Sequence, residues 1–391
     1  MKISERLARI KPSATLAVNA KAQELRASGR EIISLAVGQP DFGTPAHVRE
    51  AAKAALDEGF TRYTPVPGIP ELREAVAGYY AKFYGAKATG DNAIISNGGK
   101  QVLYNLLMAL VNPGDEVLIP SPYWVSYPAM VQLAEGVSVY VPTTAEQGYL
   151  ATLDALEAAR TEKTRVLILN SPSNPTGCCY TQAQLEAIAA WARDNGVFII
   201  ADEVYDRLVY APFEPVSLAK TWEAHPETIA IVGALSKSFC MTGWRVGYAL
   251  AHEELTKAMS KIQGQSTSNI NSITQKAALA ALRGSWDIVE EMKQAFVRRR
   301  DLAYDVIANG WGAPCPKPDG AFYLFPVLDQ FYTADAPDSA AMCTKILEQA
   351  GVALVPGSAF GDDKCIRFSY AVADETLQEA LDKVGKVLTG K

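Results

Sequence analysis

Histidine is scarce in this chain of 391 residues, and the three that occur, His47, His225 and His252, stand far apart in the sequence. This argues against a catalytic triad or a zinc site built on imidazole, because both need histidine at a defined position beside other polar groups. The six cysteines include no C-x-x-C pair, so a zinc or thioredoxin-like motif is not expected either. We therefore predict reduced thiols in a cytoplasmic protein and no metal site.

The chain also lacks a long apolar segment and a basic tract. No apolar run approaches the roughly 20 residues of a membrane span, and the N-terminal stretch has no apolar core of the kind that marks a signal peptide. The net charge is −6, so nucleic acid and anionic membranes are not expected partners. With 49% hydrophobic and 20% charged residues, the composition is that of a globular protein of roughly two or three domains.

Short runs rich in Val and Ile alternate with amphipathic helices through the first part of the chain. They show no alternation of apolar with polar residues, which is typical of parallel strands covered by helices on both faces. The runs are residues 93–96, 116–119, 165–169, 197–201 and 229–233. In the tail, residues 321–328, 351–357 and 364–373 are predicted strands, and 376–388 a helix.

These patterns predict an α/β fold with a mostly parallel sheet, joined to a smaller α+β unit. We expect an N-terminal arm and part of the small domain over 1–45, a large domain over 46–284, and a small C-terminal domain over 285–391.

Polar and small residues follow four of the predicted strands. Ligands of open α/β sheets bind beyond the carboxyl ends of the strands, so we expect these residues to share one site. They are Gly99 and Lys100 in NGGK, Asn174 in NSPSNPTG, Asp202 and Tyr205 in DEVY, and Ser236 and Lys237 in ALSKS. Glycines that open a helix suit an anion, because backbone N–H groups and the helix dipole point at it. Structural interpretations remain open for each, namely a tight turn for the glycines, a capped turn for Asn174 and a helix cap for Asp202.

The segment ALSKSFCMTGWRVGY places two cations, Lys237 and Arg245, among small and apolar residues. A lysine in such surroundings loses hydration unless it reaches solvent, pairs with an anion or forms an imine with an aldehyde. An imine-forming lysine together with an arginine for a phosphate indicates pyridoxal phosphate. Asp202 would then keep the pyridine nitrogen protonated, so that the ring can accept electrons.

With these residues, the chain resembles the class I aminotransferases of pyridoxal-phosphate fold type I, in the bacterial aspartate aminotransferase subgroup. Matching segments run nearly end to end: KPSATLAVNAKA, SLAVGQPDFGTP, RYTPVPGIPELREA, SNGGKQ, PSPYWVSYP, NSPSNPTG, ADEVYD, SKSFCMTGWRVGY, PDGAFYLF and IRFSYA. The resemblance implies a homodimer with shared active sites. It also implies a two-stage ping-pong reaction, through an imine on the lysine, that converts L-aspartate and 2-oxoglutarate into oxaloacetate and L-glutamate.

The resemblance implies a role for each matching residue. Those that would hold the cofactor are Gly99, Lys100, Trp124, Asn174, Asp202, Tyr205, Ser236, Lys237, Arg245 and, reaching the neighbouring subunit, Tyr63. In this group, Lys237 would form the imine and move the Cα proton, Asp202 would face the pyridine nitrogen, and Tyr205 would act with Asn174 on the phenolic oxygen. Trp124, which by itself reads more readily as a core residue, would stack on the ring.

The residues that would bind the substrate are Gly38, Lys100, Trp124, Asn174, Arg367 and Lys11. Arg367 would grip the α-carboxylate through a two-pronged salt bridge, which suits the arginine fork. Two positions depart from the wider family. Ala234 stands where many relatives have a phosphate-binding serine, and Gly264 where another branch has the arginine for the distal carboxylate. Lys100, assisted by Lys11, would then bind that carboxylate.

Several alternatives remain open from the sequence. The chain could also accept prephenate, or act as an aromatic amino-acid aminotransferase or as a pyridoxal-phosphate-dependent carbon–sulfur β-lyase. A ligand-sensing regulatory domain is disfavoured because too few residues precede the matching arm for a helix-turn-helix unit. An inert homologue is disfavoured because every expected catalytic side chain is present.

Overall fold

The computed structural model describes residues 3–4, 7, 10 and 14–390, so the predicted substrate residue Lys11 lies outside the described part of the chain. The strands are β1 (Ile33–Ser34), β2 (Ala93–Ser96), β3 (Glu116–Ser121), β4 (Val137–Pro142), β5 (Thr164–Asn170), β6 (Phe198–Asp202), β7 (Ile229–Ala234), β8 (Gly247–Leu250), β9 (Tyr323–Leu324), β10 (Val352–Ala353), β11 (Val355–Pro356) and β12 (Ile366–Ser369). The helices are α1 (Ala14–Ala27), α2 (Ala46–Asp57), α3 (Pro70–Tyr84), α4 (Gly99–Leu110), α5 (Tyr127–Leu133), α6 (Leu153–Ala159), α7 (Gln182–Asp194), α8 (Ala219–Ala224), α9 (Leu235–Ser238), α10 (Glu253–Gly264), α11 (Ser272–Arg283), α12 (Asp287–Tyr304), α13 (Ser339–Ala350) and α14 (Asp374–Thr389).

A seven-stranded sheet in the order β2-β8-β7-β6-β5-β3-β4 forms the centre of the fold. Strands β4, β3, β5, β6 and β7 are parallel, while β8 runs antiparallel to both of its neighbours. The predicted mostly parallel α/β sheet is therefore confirmed, with all five predicted strands in place. Sequence reasoning missed β4 and β8. The edge strand β4 has half-exposed side chains and so lacks a continuous buried run, and β8 is only four residues long.

Apolar clusters cover both faces of the sheet, and successive side chains of a strand point into opposite clusters. On β6, Ile199 packs into one apolar cluster with the helices of one face, and its neighbour Ile200 packs into a second cluster on the other face. Both side chains are fully buried. Each contributes roughly 1.5–3 kcal/mol of transfer free energy. The unbroken apolar pattern of the sequence follows from this burial.

The C-terminal part of the chain forms smaller sheets around its own apolar cluster. Strands β11, β12 and β9 form an antiparallel sheet, and β1 pairs in parallel with β10. The predicted tail strands are shorter than expected, since the run 321–328 holds only the two-residue β9. Helix α14 appears at its predicted place and buries Leu377, Leu381 and Val384. Among the described residues, no helix is both long and apolar enough to cross a membrane.

Candidate active site

A cavity of about 390 Å³ lies where β5, β6 and β7 end. Of the predicted site residues, those that line it are Gly38, Gly99, Lys100, Trp124, Asn174, Asp202, Tyr205, Ser236, Lys237, Arg245 and Arg367. Segments that are almost 330 residues apart in sequence thus meet at one edge of the sheet, as the rule for parallel sheets predicts. The exception among the described residues is Tyr63, which does not line the cavity and is 92% exposed.

Lys237 lies in the short helix α9, directly after β7, and its side chain enters the cavity. Its Nζ donates a 2.5 Å hydrogen bond to the carbonyl oxygen of Gly38. Burial, together with the positive charges of Arg367 and Arg245, lowers the pKa of Lys237 to about 8, against the opposing effect of Asp202. A substantial fraction of the amine is then neutral near physiological pH, and the neutral amine is the form that attacks an aldehyde.

Asp202 is the last residue of β6 and is only 3% exposed. Its Oδ2 accepts a 2.5 Å hydrogen bond from the hydroxyl of Tyr127, and its Oδ1 accepts a long 3.4 Å bond from the amide of Val204. Burial raises the pKa of the carboxyl to about 6, while these two bonds and the charge of Lys237 act in the opposite direction. The group is therefore ionised at neutral pH, and a buried carboxylate of this kind suits a cationic partner in the cavity.

Backbone amides and a guanidinium converge at the start of α4. Gly98 has a φ of 84°, and a Cβ at this position would lie 2.5 Å from Nη2 of Arg245. Arg245 donates hydrogen bonds to the carbonyl oxygens of Thr242, at 2.9 Å, and Asn97, at 3.1 Å, which fixes the guanidinium beside the glycine turn. A helix start that carries both free N–H groups and a cation is a site for an anion such as a phosphate.

Arg367 supplies a further cation from β12, and its side chain is almost completely buried. It donates hydrogen bonds to the carbonyl oxygen of Ala36, at 2.7 Å, and to Oδ1 of Asn174, at 2.9 Å. Its Nε has no hydrogen-bond partner among the described residues, and burial lowers the pKa of the guanidinium. A buried arginine with an unused donor favours a carboxylate ligand.

Lys100 also lines the cavity and belongs to the first turn of α4. Its Nζ lies 5.0 Å from the centre of the Trp124 ring. Part of the side chain is exposed, but the burial of the rest and the charge of Arg245 lower the pKa of the lysine. The Trp124 ring in turn meets that of Tyr127 edge-on, with the ring centres 5.4 Å apart. An ammonium group held over an aromatic face beside the cavity is well placed for an acidic side chain.

Sequence reasoning missed two tyrosines of the cavity, Tyr127 and Tyr323. The hydroxyl of Tyr323 lies 2.9 Å from that of Tyr205, and a Cβ on Gly38 would come within 2.7 Å of it. Both tyrosines belong to segments that carry the family resemblance, PSPYWVSYP and PDGAFYLF. In both segments the aromatic residues read as core residues, and both side chains are indeed almost fully buried.

Comparisons with known proteins show the family and the fold of the chain. A family model described as aminotransferase class I and II matches residues 30–384. The chain is 45% identical to the aspartate/prephenate aminotransferase of Cereibacter sphaeroides over 99% of both proteins, and 43% identical to the asparagine–oxo-acid transaminase of Streptococcus mutans over 98% of both. Its fold matches the structure of aspartate aminotransferase from Thermus thermophilus with maleate, with a TM-score of 0.93 and 42% identity over 99% of this chain and all of that one.

Proposed function

Because the chain belongs to the class I and II aminotransferase family, we propose that it transfers the amino group of L-aspartate to 2-oxoglutarate, which yields oxaloacetate and L-glutamate. The observation that carries this proposal is the presence of Arg367 and Lys100 in one cavity with Lys237. A substrate with two carboxylates gives both cations a partner, whereas an apolar side chain would leave one of them without an anion. The Thermus thermophilus relative was solved with maleate, which is also a four-carbon dicarboxylate.

The cofactor of the family is pyridoxal phosphate, which supplies an aldehyde for a lysine and a ring that accepts electrons from the substrate. The chain has a matching group for each part of it. The amine of Lys237 suits the aldehyde, the buried carboxylate of Asp202 suits a protonated ring nitrogen, and the Gly98 turn with Arg245 suits the phosphate. Gly99, the Lys100 backbone and Ser236 complete the proposed phosphate site.

In this proposal, Lys237 is the nucleophile and the proton carrier. Its lowered pKa makes a neutral amine available for covalent attachment, and the freed Nζ then accepts the proton of the substrate α-carbon and later returns it. The carbonyl oxygen of Gly38 accepts a hydrogen bond from Nζ and thereby orients the side chain. The aromatic rings of Tyr205 and Phe322 flank it, with their centres 5.8 and 5.9 Å from Nζ.

Asn174 and Tyr205 are proposed to hydrogen-bond the phenolic oxygen of the cofactor, and Trp124 to cover its ring. Two contacts support this assignment, because Asn174 is held by Arg367 and Tyr205 by Tyr323. These contacts connect the cofactor groups with the proposed substrate groups. Arg367 with Asn174 and Gly38 would bind the α-carboxylate, and Lys100 the side-chain carboxylate.

We further propose a homodimer in which Tyr63 reaches the phosphate of the neighbouring subunit. The 92% exposure of this large side chain and its absence from the cavity of its own chain support the idea. The division into 1–45, 46–284 and 285–391 is likewise a proposal, supported by the pairing of β1 with β10, which joins the first and last segments. The assisting role of Lys11 stays a prediction.

A half-reaction screen tests the proposed function. The yellow, cofactor-loaded protein is mixed with one amino acid at a time, and the loss of its visible absorbance is followed. We expect fast conversion by aspartate and glutamate and slower conversion by asparagine and tyrosine. Faster conversion by asparagine would favour the activity named for the Streptococcus mutans relative. Return of the visible absorbance when prephenate is added to the converted enzyme would favour the prephenate alternative named for the Cereibacter sphaeroides relative. Continued release of pyruvate and ammonia would indicate a β-lyase.

A further inference from the structure

Tyr127 has no role in the proposed reaction, yet its hydroxyl makes the shortest contact of the Asp202 side chain. We propose that Tyr127 is a positioning residue for Asp202: it fixes one carboxylate oxygen and keeps the group anionic, so that the shared proton stays on the ring nitrogen of the cofactor. The inference rests on the proposed pairing of Asp202 with that nitrogen. It adds a residue that acts on the cofactor through another side chain.

The hydrogen bonds of Asp202 divide its two oxygens. Oδ2 accepts the 2.5 Å bond from Tyr127, while Oδ1 takes only the 3.4 Å bond from the amide of Val204. Oδ1 therefore keeps most of its capacity to accept a further hydrogen bond. The Tyr127 bond is the shorter of the two by 0.9 Å, so it is the contact that holds the rotation of the carboxylate about the final side-chain bond.

The position of Tyr127 is itself fixed. It is 2% exposed and is the first residue of α5, and its backbone amide donates a 3.0 Å bond to the carbonyl oxygen of Trp124. The rings of Trp124 and Tyr127 meet edge-on at 81°. One short turn thus carries two residues of the site. Trp124 is proposed to cover the cofactor ring, and Tyr127 holds Asp202, the proposed partner of the ring nitrogen.

The groups around Asp202 make its charge state depend on the Tyr127 hydroxyl. The titratable groups that act on Asp202 among the described residues are Lys237, Glu203, Tyr127 and Tyr205. Burial raises the pKa of Asp202, and of the contacts that oppose burial the Tyr127 hydrogen bond is the largest, ahead of Val204 and Lys237. The Lys237 amine is occupied once it holds the cofactor. Tyr127 is then the main side chain of the protein that stabilises the anion.

The expected consequence of losing the hydroxyl is a proton shift. With the hydrogen bond in place, the carboxylate is anionic and the proton lies on the nitrogen, as a cation–anion pair. Without it, the carboxylate becomes the stronger base and takes the proton, which leaves a neutral acid beside a neutral ring. No charge is gained or lost overall, but a neutral ring accepts electrons less readily.

The chain offers a matched control in Tyr79. Its hydroxyl also donates to a buried aspartate, Asp206, in the same turn after β6, but Asp206 does not line the cavity. Asp206 also accepts a 2.7 Å hydrogen bond from the hydroxyl of Tyr84. The matched control is therefore the double variant Tyr79→Phe/Tyr84→Phe, in which Asp206 loses both tyrosine donors, and Tyr79→Phe alone is its milder form. Both report what the loss of buried tyrosine–carboxylate bonds outside the cavity does to folding.

The test uses the complete enzyme loaded with pyridoxal phosphate that carries an NMR-active label at the ring nitrogen. We expect the nitrogen signal of the wild type and of Tyr79→Phe at the position of a protonated pyridine. The signal of Tyr127→Phe should move toward that of a neutral pyridine. The same variant should lose about tenfold in kcat/KM for aspartate, the scale of one hydrogen bond to a charged group.

A double-mutant cycle separates the two proposals. In an Asp202→Asn background, adding Tyr127→Phe should cause no further loss of kcat/KM, because the two residues act as one unit. If Tyr127→Phe leaves the nitrogen signal where Tyr79→Phe leaves it, the positioning role is overturned while the role of Asp202 stands. If Asp202→Asn itself keeps a protonated nitrogen and full activity, the proposed pairing fails first.

Discussion

The amine of Lys237 donates a 2.5 Å hydrogen bond to the carbonyl oxygen of Gly38, a residue 199 positions earlier in the chain. The contact joins the segment SLAVGQPDF to helix α9, which carries Lys237 and follows β7 directly. The hydroxyl of Tyr323 lies so close to Gly38 that a Cβ there would come within 2.7 Å of it. The backbone of this segment, and not only its side chains, therefore shapes the cavity.

Gly38→Ala should lower activity because the new Cβ would lie 2.7 Å from the Tyr323 hydroxyl. We expect the segment or the tyrosine to shift, which raises KM for aspartate about tenfold or more. Steady-state kinetics of the loaded enzyme measures the change. Gly78→Ala is the matched control, since a Cβ there meets nothing within 4 Å and α3 should tolerate it. Unchanged kinetics for Gly38→Ala would show that this close approach has no part in the reaction.

Lys100→Ala should lower kcat/KM for aspartate far more than kcat/KM for tyrosine. The lysine is the proposed partner of the side-chain carboxylate, and the loss of a charged contact costs roughly tenfold to a hundredfold in kcat/KM. Lys82→Ala serves as the control, because Lys82 makes a similar contact with a ring, 4.8 Å from Phe83, and does not line the cavity. Equal losses for aspartate and tyrosine would mean that Lys100 does not select for acidic side chains.

Much of this site follows from the sequence, since parallel strands bring their carboxyl ends to one edge. The sequence therefore predicts Asn174, Asp202 and Lys237 together, and they line the same cavity. Tyr127 and Tyr323 could not be recognised in this way. A tyrosine in an apolar segment reads as a core residue. Only the position of its hydroxyl in the structure distinguishes a core tyrosine from a tyrosine of the site.

The strands, too, could be recognised from the sequence only in part. Sequence reasoning found the central strands because burial on both faces leaves an unbroken apolar run. It missed β4, whose residues Val137 and Tyr140 are half exposed at the sheet edge, and the short antiparallel β8. The shape of the proposed phosphate site also depends on backbone geometry, since Arg245 itself adopts a φ of 59°. A single sequence carries no direct signal for this conformation.

Glu203 should make the stability of the protein depend on pH. It is buried beside Asp202 and accepts hydrogen bonds from the Ser217 hydroxyl and the Leu218 amide, and burial raises its pKa to about 8. The folded chain therefore holds a proton that the unfolded chain has released, from about pH 4.5 up to about pH 8. The stability that this proton provides is present at low pH and is lost as the pH rises through about 8.

Glu203→Gln, which imitates the protonated acid, isolates this effect. The melting temperature of the wild type relative to Glu203→Gln should fall between about pH 5 and about pH 9. Glu157→Gln is a suitable control. Contacts with Arg160 and Trp191 lower the pKa of Glu157 to about 2, so its contribution is present above the usual carboxyl range and is lost only in acid. A constant difference between wild type and Glu203→Gln would contradict the prediction.

The covalent attachment of the cofactor at Lys237 is tested most directly by borohydride reduction of the loaded enzyme followed by mass spectrometry of its peptides. We predict a pyridoxyl adduct on the ε-amine of Lys237 and none on Lys100, the other lysine of the cavity. In Lys237→Ala the adduct should be lost, while the protein still folds. An adduct mainly on Lys100, or a wild-type protein that stays colourless with pyridoxal phosphate, would contradict the account.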